Sequence, residues 1–388
     1  MSIFIKFMMA GMLFFAVSTS NPAQGQGGPA ADSLAVWQQI APFFSSPPAY
    51  KNDYGAYRSP LKFYDGSTVK TPQDWQKRRK EIRDRWHQLM GEWPPLLKNQ
   101  VLVMMDTTHR ENFTQHRIKF NWMPQEETHG YLLIPDGVGQ KPAVITVYYE
   151  PETAIGRGKP LRDFAYQLAK RGFVTLSIGT TQATEAKTYA LYYPSLENAQ
   201  VEPLSMLAYA AANAWQVLSK VPQVDSTRIG IMGHSFGGKW AMFASCLFDK
   251  FACAVWSDPG IVFEASKPDV NYWEPWYLGY HSPPWRERGV PTAQNPAKGL
   301  YPRLLTEGYD LHELHALMAP RPFLVSGGAE DTPARWVPLN HAIAVNRLLG
   351  FENRVAMTNR SGHSPTTESN EQAYLFLEYF LKYAGKSS

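Results

Sequence analysis

The sequence predicts an α/β protein: a mostly parallel sheet with helices on both faces. Three observations carry this reading. From Pro142 onward, short apolar runs alternate with helical stretches, and parallel strands need such helical crossovers. The runs Ala143–Tyr149, Phe173–Ile178, Ile229–Met232, Ala252–Trp256, Pro322–Ser326 and Arg354–Met357 are continuously apolar rather than alternating, as strands covered on both faces are. One strand-to-helix junction reads Gly233-His234-Ser235-Phe236-Gly237. A Gly-x-Ser-x-Gly turn of this kind holds a serine above the carboxyl edge of a sheet.

The elements follow in order. Lys6 precedes the apolar run Phe7–Val17, with small Ser18 and Ser20 behind it, which predicts a signal peptide over residues 1–20. The run is too short to span a bilayer, which takes about 20 apolar residues. No cysteine follows it to carry a lipid anchor, so a secreted or periplasmic protein is expected. Residues 21–31, rich in Gly, Pro and Gln, read as a flexible linker, with order from Asp32. A single domain is expected over 32–388, with residues 32–98 as a helical extension. In that extension Thr71 caps a helix that starts at Pro72, buries Trp75, Ile82, Trp86 and Leu89, and stops at Gly91. Runs at 100–106, 117–122 and 130–134 predict an antiparallel start to the sheet. Helices are expected over Leu161–Lys170, Leu204–Leu218, Phe236–Phe248, Leu339–Leu349 and Asn370–Tyr383. Residues 258–320 form an insertion far longer than an ordinary connection.

Of 388 residues, 44% are hydrophobic and 19% charged, with a net charge of +4. This is globular composition with no general pull toward nucleic acid. The basic run Lys77–Arg85 reads as a solvated helix face. Cys246 and Cys253 read as two buried thiols, with a bridge between them left open. His312-Glu313-Leu314-His315 lacks the His-Glu-x-x-His spacing of a zinc helix. No metal or cofactor is expected, and the protein is expected to be monomeric.

Serine is a weak nucleophile until a base takes its proton. Chain order then assigns the partners of Ser235: an acid after a later strand and a histidine near the end. His363, in Ser361-Gly362-His363-Ser364, lies in the loop after the last strand. Asp331, after Pro322–Ser326, takes the usual acid position, with Glu330 and Asp258 as alternatives. The oxyanion hole would use the N–H of Phe236 and one from Tyr149 or Glu150. In the insertion, Trp273 and Glu274 are candidates for sugar contacts, against the alternative that these aromatic residues form a satellite core anchoring a long loop.

Gly233–Ala241, reading Gly-His-Ser-Phe-Gly-Gly-Lys-Trp-Ala, resembles the nucleophile signature of the glucuronoyl esterases, Gly-Cys-Ser-Arg-x-Gly-Lys-Gly-Ala. The similarity takes in Asp225–Gly230, Ala329-Glu330-Asp331 and Gly362-His363-Ser364, about half the chain. More broadly the chain looks like bacterial carbohydrate esterases and dienelactone-hydrolase-like proteins of prolyl oligopeptidase type. The resemblance implies an α/β-hydrolase fold, and it implies that Lys239 contacts the hydroxyls of a uronic acid. A surface lysine on the first turn of a helix is the alternative for Lys239. Phe236 stands where those esterases carry an arginine, and His234 where they carry a cysteine.

The expected function is a serine esterase acting on a polysaccharide or oligosaccharide ester, of glucuronoyl type or alternatively an acetyl xylan ester. A serine peptidase is a further alternative, although no β-propeller repeat precedes the hydrolase part. Outside the enzymes, the alternative is a silent carbohydrate-binding protein on the same scaffold.

Overall fold

The computed structural model describes residues 29–180 and 190–384. The signal peptide and nearly all of the linker lie outside the described residues. Nine strands form one sheet in the order β1-β2-β3-β5-β4-β6-β7-β8-β9. β1 (Val103–Arg110), β2 (Phe113–Met123) and β3 (Glu126–Pro135) are antiparallel, and β3 also pairs antiparallel with β5 (Val174–Gly179). From β5 the pairing turns parallel through β4 (Lys141–Tyr148), β6 (Val224–His234), β7 (Ala254–Ser257), β8 (Phe323–Gly327) and β9 (Val355–Asn359). This is the sheet of the α/β-hydrolase fold.

Every residue of β5, β7 and β8 is buried, which is why these strands read as unbroken apolar runs. The helix Phe236–Leu247 is buried over its whole length and packs on the helix Pro203–Leu218 and on β6 and β7. Small residues along both helices permit that close approach.

Differences from the sequence reading lie at element ends. β2 extends past the predicted run because backbone pairing continues through polar residues that carry no hydrophobic signal, whereas β6 starts early at Val224, opposite Lys141, and bulges over Asp225–Arg228 before pairing resumes at Ile229. The first helix begins at Pro29 rather than near Asp32, a start for which proline's fixed φ is well suited. The last helix ends at Glu378 and passes into a wider turn over Tyr379–Tyr383. Cys246 and Cys253 are both free and buried.

The N-terminal extension is pinned to the hydrolase body by one buried acid. The helix Pro72–Met90 is capped by a reciprocal box between Thr71 and Asp74, and it buries Trp75, Arg78, Ile82, Trp86 and Met90. Arg78 faces Glu313 at 3.7 Å, both side chains fully buried. The Tyr64 hydroxyl (3.0 Å) and Trp86 Nε1–H (3.2 Å) donate to the same carboxylate. His312-Glu313-Leu314-His315 is thus a docking point between extension and domain, and no metal cluster occurs among the described residues. Arg78 keeps a closer pair with Glu81 at 2.6 Å, so removing Glu313 mainly strands the buried Tyr64 and Trp86 donors. Glu313→Ala is therefore expected to cost about 1–3 kcal/mol of stability, read from denaturant midpoints.

Candidate active site

The site sits at the carboxyl ends of β6, β7 and β9, where ligands of open α/β sheets bind. Ser235 joins β6 to the following helix at φ +56° and ψ −115°, a region rarely adopted by residues with a side chain. Its glycine neighbours make that turn possible. A Cβ at Gly233 would collide with the Gly237 carbonyl, and one at Gly237 with the Val147 carbonyl at the end of β4. The strained turn and its close-packed glycines hold the serine hydroxyl clear of the sheet.

His363 Nδ1–H donates to Asp258 Oδ2 at 2.7 Å, and Nε2 accepts from the Ser235 hydroxyl at 2.8 Å. The acid on the histidine is thus Asp258, directly after β7, and not Asp331 after β8. Asp258 itself stands at φ +48°. Its buried carboxylate also accepts from the N–H groups of Gly328 (2.7 Å) and Asp331 (2.9 Å). Asp331 is turned the other way: its carboxylate accepts from Gly260 N–H (2.8 Å) and Ile261 N–H (2.7 Å). Each acid thus holds the backbone of the loop that carries the other. Glu330 contributes its N–H to Asp258, while its own Oε2 is buried without a partner and does not meet His363.

The electrostatics separate the two aspartates. Burial opposes ionisation of Asp258, but the His363 hydrogen bond, the Asp331 N–H and the Arg360 charge more than offset it, holding the carboxyl below its usual range. Burial, reinforced by the Asp258 charge, pushes Asp331 up to about 6 despite its two N–H partners and Arg335. Buried carboxyls and neighbouring like charges are displaced in this way.

Arg360, which no motif marked in the sequence, knots the histidine loop. Its guanidinium donates to the carbonyls of His363 (2.6 Å), Ser364 (2.9 Å) and Ser326 (2.8 Å), and to the Ser257 hydroxyl (3.3 Å). His234 packs its ring 4.8 Å from that of His363, with Nδ1 beside the Ser257 hydroxyl at 3.1 Å. Burial first, then the charges of His363 and Arg360, keep His234 neutral.

Phe236, the first residue of its helix, has an N–H with no intrahelical acceptor. Tyr149, just past β4, stacks its ring on Phe236 at 4.5 Å and 11°, so the two oxyanion candidates are neighbours. Tyr277 of the insertion also packs near Phe236, with ring centroids 6.3 Å apart.

Three expected sugar contacts are corrected. Lys239 is buried, and its ammonium donates to the carbonyls of Pro259 (2.8 Å) and Asp269 (3.0 Å). Burial brings it down to about 8 against the pull of nearby carboxylates. Lys239 is therefore neither a surface lysine nor a side chain presented to a sugar; it clamps the loop after Asp258 to the helix that follows Ser235. Trp273 is fully buried and donates to the Gly289 carbonyl at 2.9 Å. Glu274 pairs with buried Arg286 at 3.2 Å and accepts from Gly289 N–H at 3.0 Å. Both hold the insertion together from within, because a long loop needs its own small core.

A family model described as Abhydrolase family matches residues 58–255, a little over half of the chain. The chain belongs to the abhydrolase family. A second model, Prolyl oligopeptidase family, matches residues 210–387. Solved structures similar to this abhydrolase include a glucuronoyl esterase from Solibacter usitatus, at 18% identity and a TM-score of 0.64, covering 84% of this chain and 97% of that one. A promiscuous CE15 esterase from a marine bacterial metagenome matches at 16% identity and 0.61, covering 87% and 100%. A putative acetyl xylan esterase from Bacteroides fragilis matches at 13% identity and 0.54, covering 88% and 84%. No curated protein sequence matches the chain.

The displaced Asp331 carboxyl has a consequence for stability. A folded-state value raised from 3.8 to about 6 stabilises the fold fully below the unfolded value, and that contribution is lost as pH rises through about 6. Wild-type stability relative to Asp331→Asn is therefore expected to fall between pH 4 and pH 6 and to level off above it. Urea midpoints of both proteins across that range check this, and parallel curves would contradict it.

Proposed function

We propose that the protein is a serine-dependent carboxylic ester hydrolase acting on carbohydrate esters, with Ser235, His363 and Asp258 as its triad. One observation carries the reading: the continuous hydrogen-bond chain from Ser235 Oγ through His363 to Asp258. Ser235 Oγ attacks the ester carbonyl as His363 Nε2 takes its proton. The developing oxyanion is held by the N–H of Phe236 and that of Tyr149. His363 then protonates the departing alkoxide, leaving an acyl-enzyme, and water repeats the sequence with the same base. Ionised Asp258 fixes the tautomer and stabilises the imidazolium.

The substrate we favour is an alkyl ester of a uronic acid, of the kind named by the glucuronoyl esterases of similar fold. An acetyl ester is the second reading. It is favoured by two departures: Lys239 is occupied by backbone carbonyls, and Phe236 fills the arginine position. We place the protein outside the cytoplasm on the strength of Lys6 and the apolar run Phe7–Val17. No helix among the described residues is long and apolar enough to cross a membrane.

Ser235→Ala should abolish both fluorophosphonate labelling and turnover of a glucuronate alkyl ester and acetylated xylan. Labelling that persists in the variant would refute the serine mechanism. Asp258→Asn is expected to lower kcat by about 10³–10⁴-fold, while Asp331→Asn, which acts only by holding the backbone of the Asp258 loop, should cost distinctly less. Equal losses in the two variants, or a larger one at Asp331, would overturn the assignment of the acid.

A further inference from the structure

The triad follows the carboxyl ends of β6, β7 and β9, whereas the segments entering β7, β8 and β9 carry two adjoining concavities at the opposite edge. One, of about 270 Å³, is bounded by the extension at Phe44–Asn52, the helix Trp336–Leu348 and the approach to β9. Its cationic side chains are Lys51, Arg347 and Arg354, against Glu352 alone. The other, of about 730 Å³, lies between the helix Pro72–Met90 and the segments entering β7 and β8. It presents Arg79, Arg83 and Lys250 against Asp249 alone, besides Lys80 and Arg321. The concavities meet at Phe351, which borders both and is 38% exposed.

The imbalance is local. The chain as a whole has 38 basic and 34 acidic residues, yet this groove has eight cations to two acids. Some of that charge is already used. Lys80 pairs with Asp84, and Arg321 donates to the carbonyls of Ser245, Phe251 and Leu317. Arg79 and Arg83 share Asp249 at 3.6 and 3.7 Å. Lys51, Lys250, Arg347 and Arg354 have no carboxylate partner among the described residues. These four cations come from four separate chain segments, so no single helix face accounts for them, and an anionic ligand would supply the counter-charge that each lacks.

We propose that this groove binds an acidic polysaccharide, a chain of uronate-bearing sugars, at a site separate from the catalytic centre. Two cavities in series fit a chain rather than a single small anion. Asn52 and Asn353 on the walls offer amide groups suited to hydroxyls, and exposed Phe351 offers an apolar face to a sugar ring. The choice of a glycan over nucleic acid rests on the carbohydrate-esterase reading. Such a site holds the enzyme on its polymer while the opposite edge of the sheet carries out the chemistry.

The test uses full-length Ser235→Ala protein, so that binding is read independently of catalysis. In affinity gel electrophoresis, polygalacturonate is expected to retard the protein, unlike neutral xylan, and the retardation should weaken as salt screens the charges. Adding Arg83→Gln, Lys250→Gln and Arg347→Gln is expected to weaken binding by at least about tenfold. In a Ser235-containing background the same three changes should leave hydrolysis of a small soluble ester unaltered. Absence of retardation, retardation unchanged by the triple substitution, or stronger retention on duplex DNA than on polygalacturonate would each overturn the proposal. An inactive Ser235-containing protein that still bound polygalacturonate would sink the esterase reading and leave the groove standing.

Discussion

The catalytic geometry depends on a reciprocal exchange of backbone hydrogen bonds between the loops after β7 and β8. Asp258 receives the N–H groups of Gly328 and Asp331, and Asp331 receives those of Gly260 and Ile261. Neither loop has regular structure of its own to satisfy these donors, and buried unpaired N–H groups are costly. The exchange therefore fixes both loops at once. It also places the Asp258 carboxylate where one oxygen remains for His363. The positive φ at Asp258 is a local cost of the arrangement, tolerated because the surrounding bonds leave the residue no relaxed alternative.

Around that exchange the remaining groups act as clamps. Lys239 ties the carbonyl just beyond Asp258 to the helix that begins at Ser235. Arg360 ties the His363 loop to the ends of β7 and β8. Both cations lie near the two carboxylates, and both act through backbone carbonyls, so each does electrostatic and geometric work together. A triad held this way is preorganised: its members come from three loops, but each loop is braced against the others before a substrate arrives.

How much of this was legible in the sequence follows from the range of the forces involved. The sheet was legible because burial on both faces leaves an unbroken apolar run in strands such as β5 and β8. The Ser235 turn was legible because its glycines are demanded by contacts with Gly237 and Val147, and steric demands of that kind fix residue type. Asp331 was favoured as the acid from chain order, and chain order cannot report which way a carboxylate turns. The exchange between Asp258 and Asp331 joins residues some seventy positions apart, and no spacing rule reaches that far. Arg360 was invisible for the same reason, since its acceptors are mostly carbonyls that every residue type supplies. Trp273 and Glu274 look like sugar ligands in a sequence, yet a long loop has to bury something to hold its shape.

The departures from the glucuronoyl esterase signature carry the last argument. Changing the arginine position to Phe236 and turning Lys239 inward are not independent events. Phe236 packs against both Tyr149 and Tyr277, and Tyr277 and Tyr272 also lie over the Lys239 ammonium. One aromatic group thus fills the space beside the nucleophile and covers the lysine. A guanidinium at position 236 would have to be buried among the same rings, since Phe236 is almost wholly buried. The aromatic filling and the internal lysine support one another, so restoring an arginine at 236 alone would strain this packing rather than recreate a polar contact.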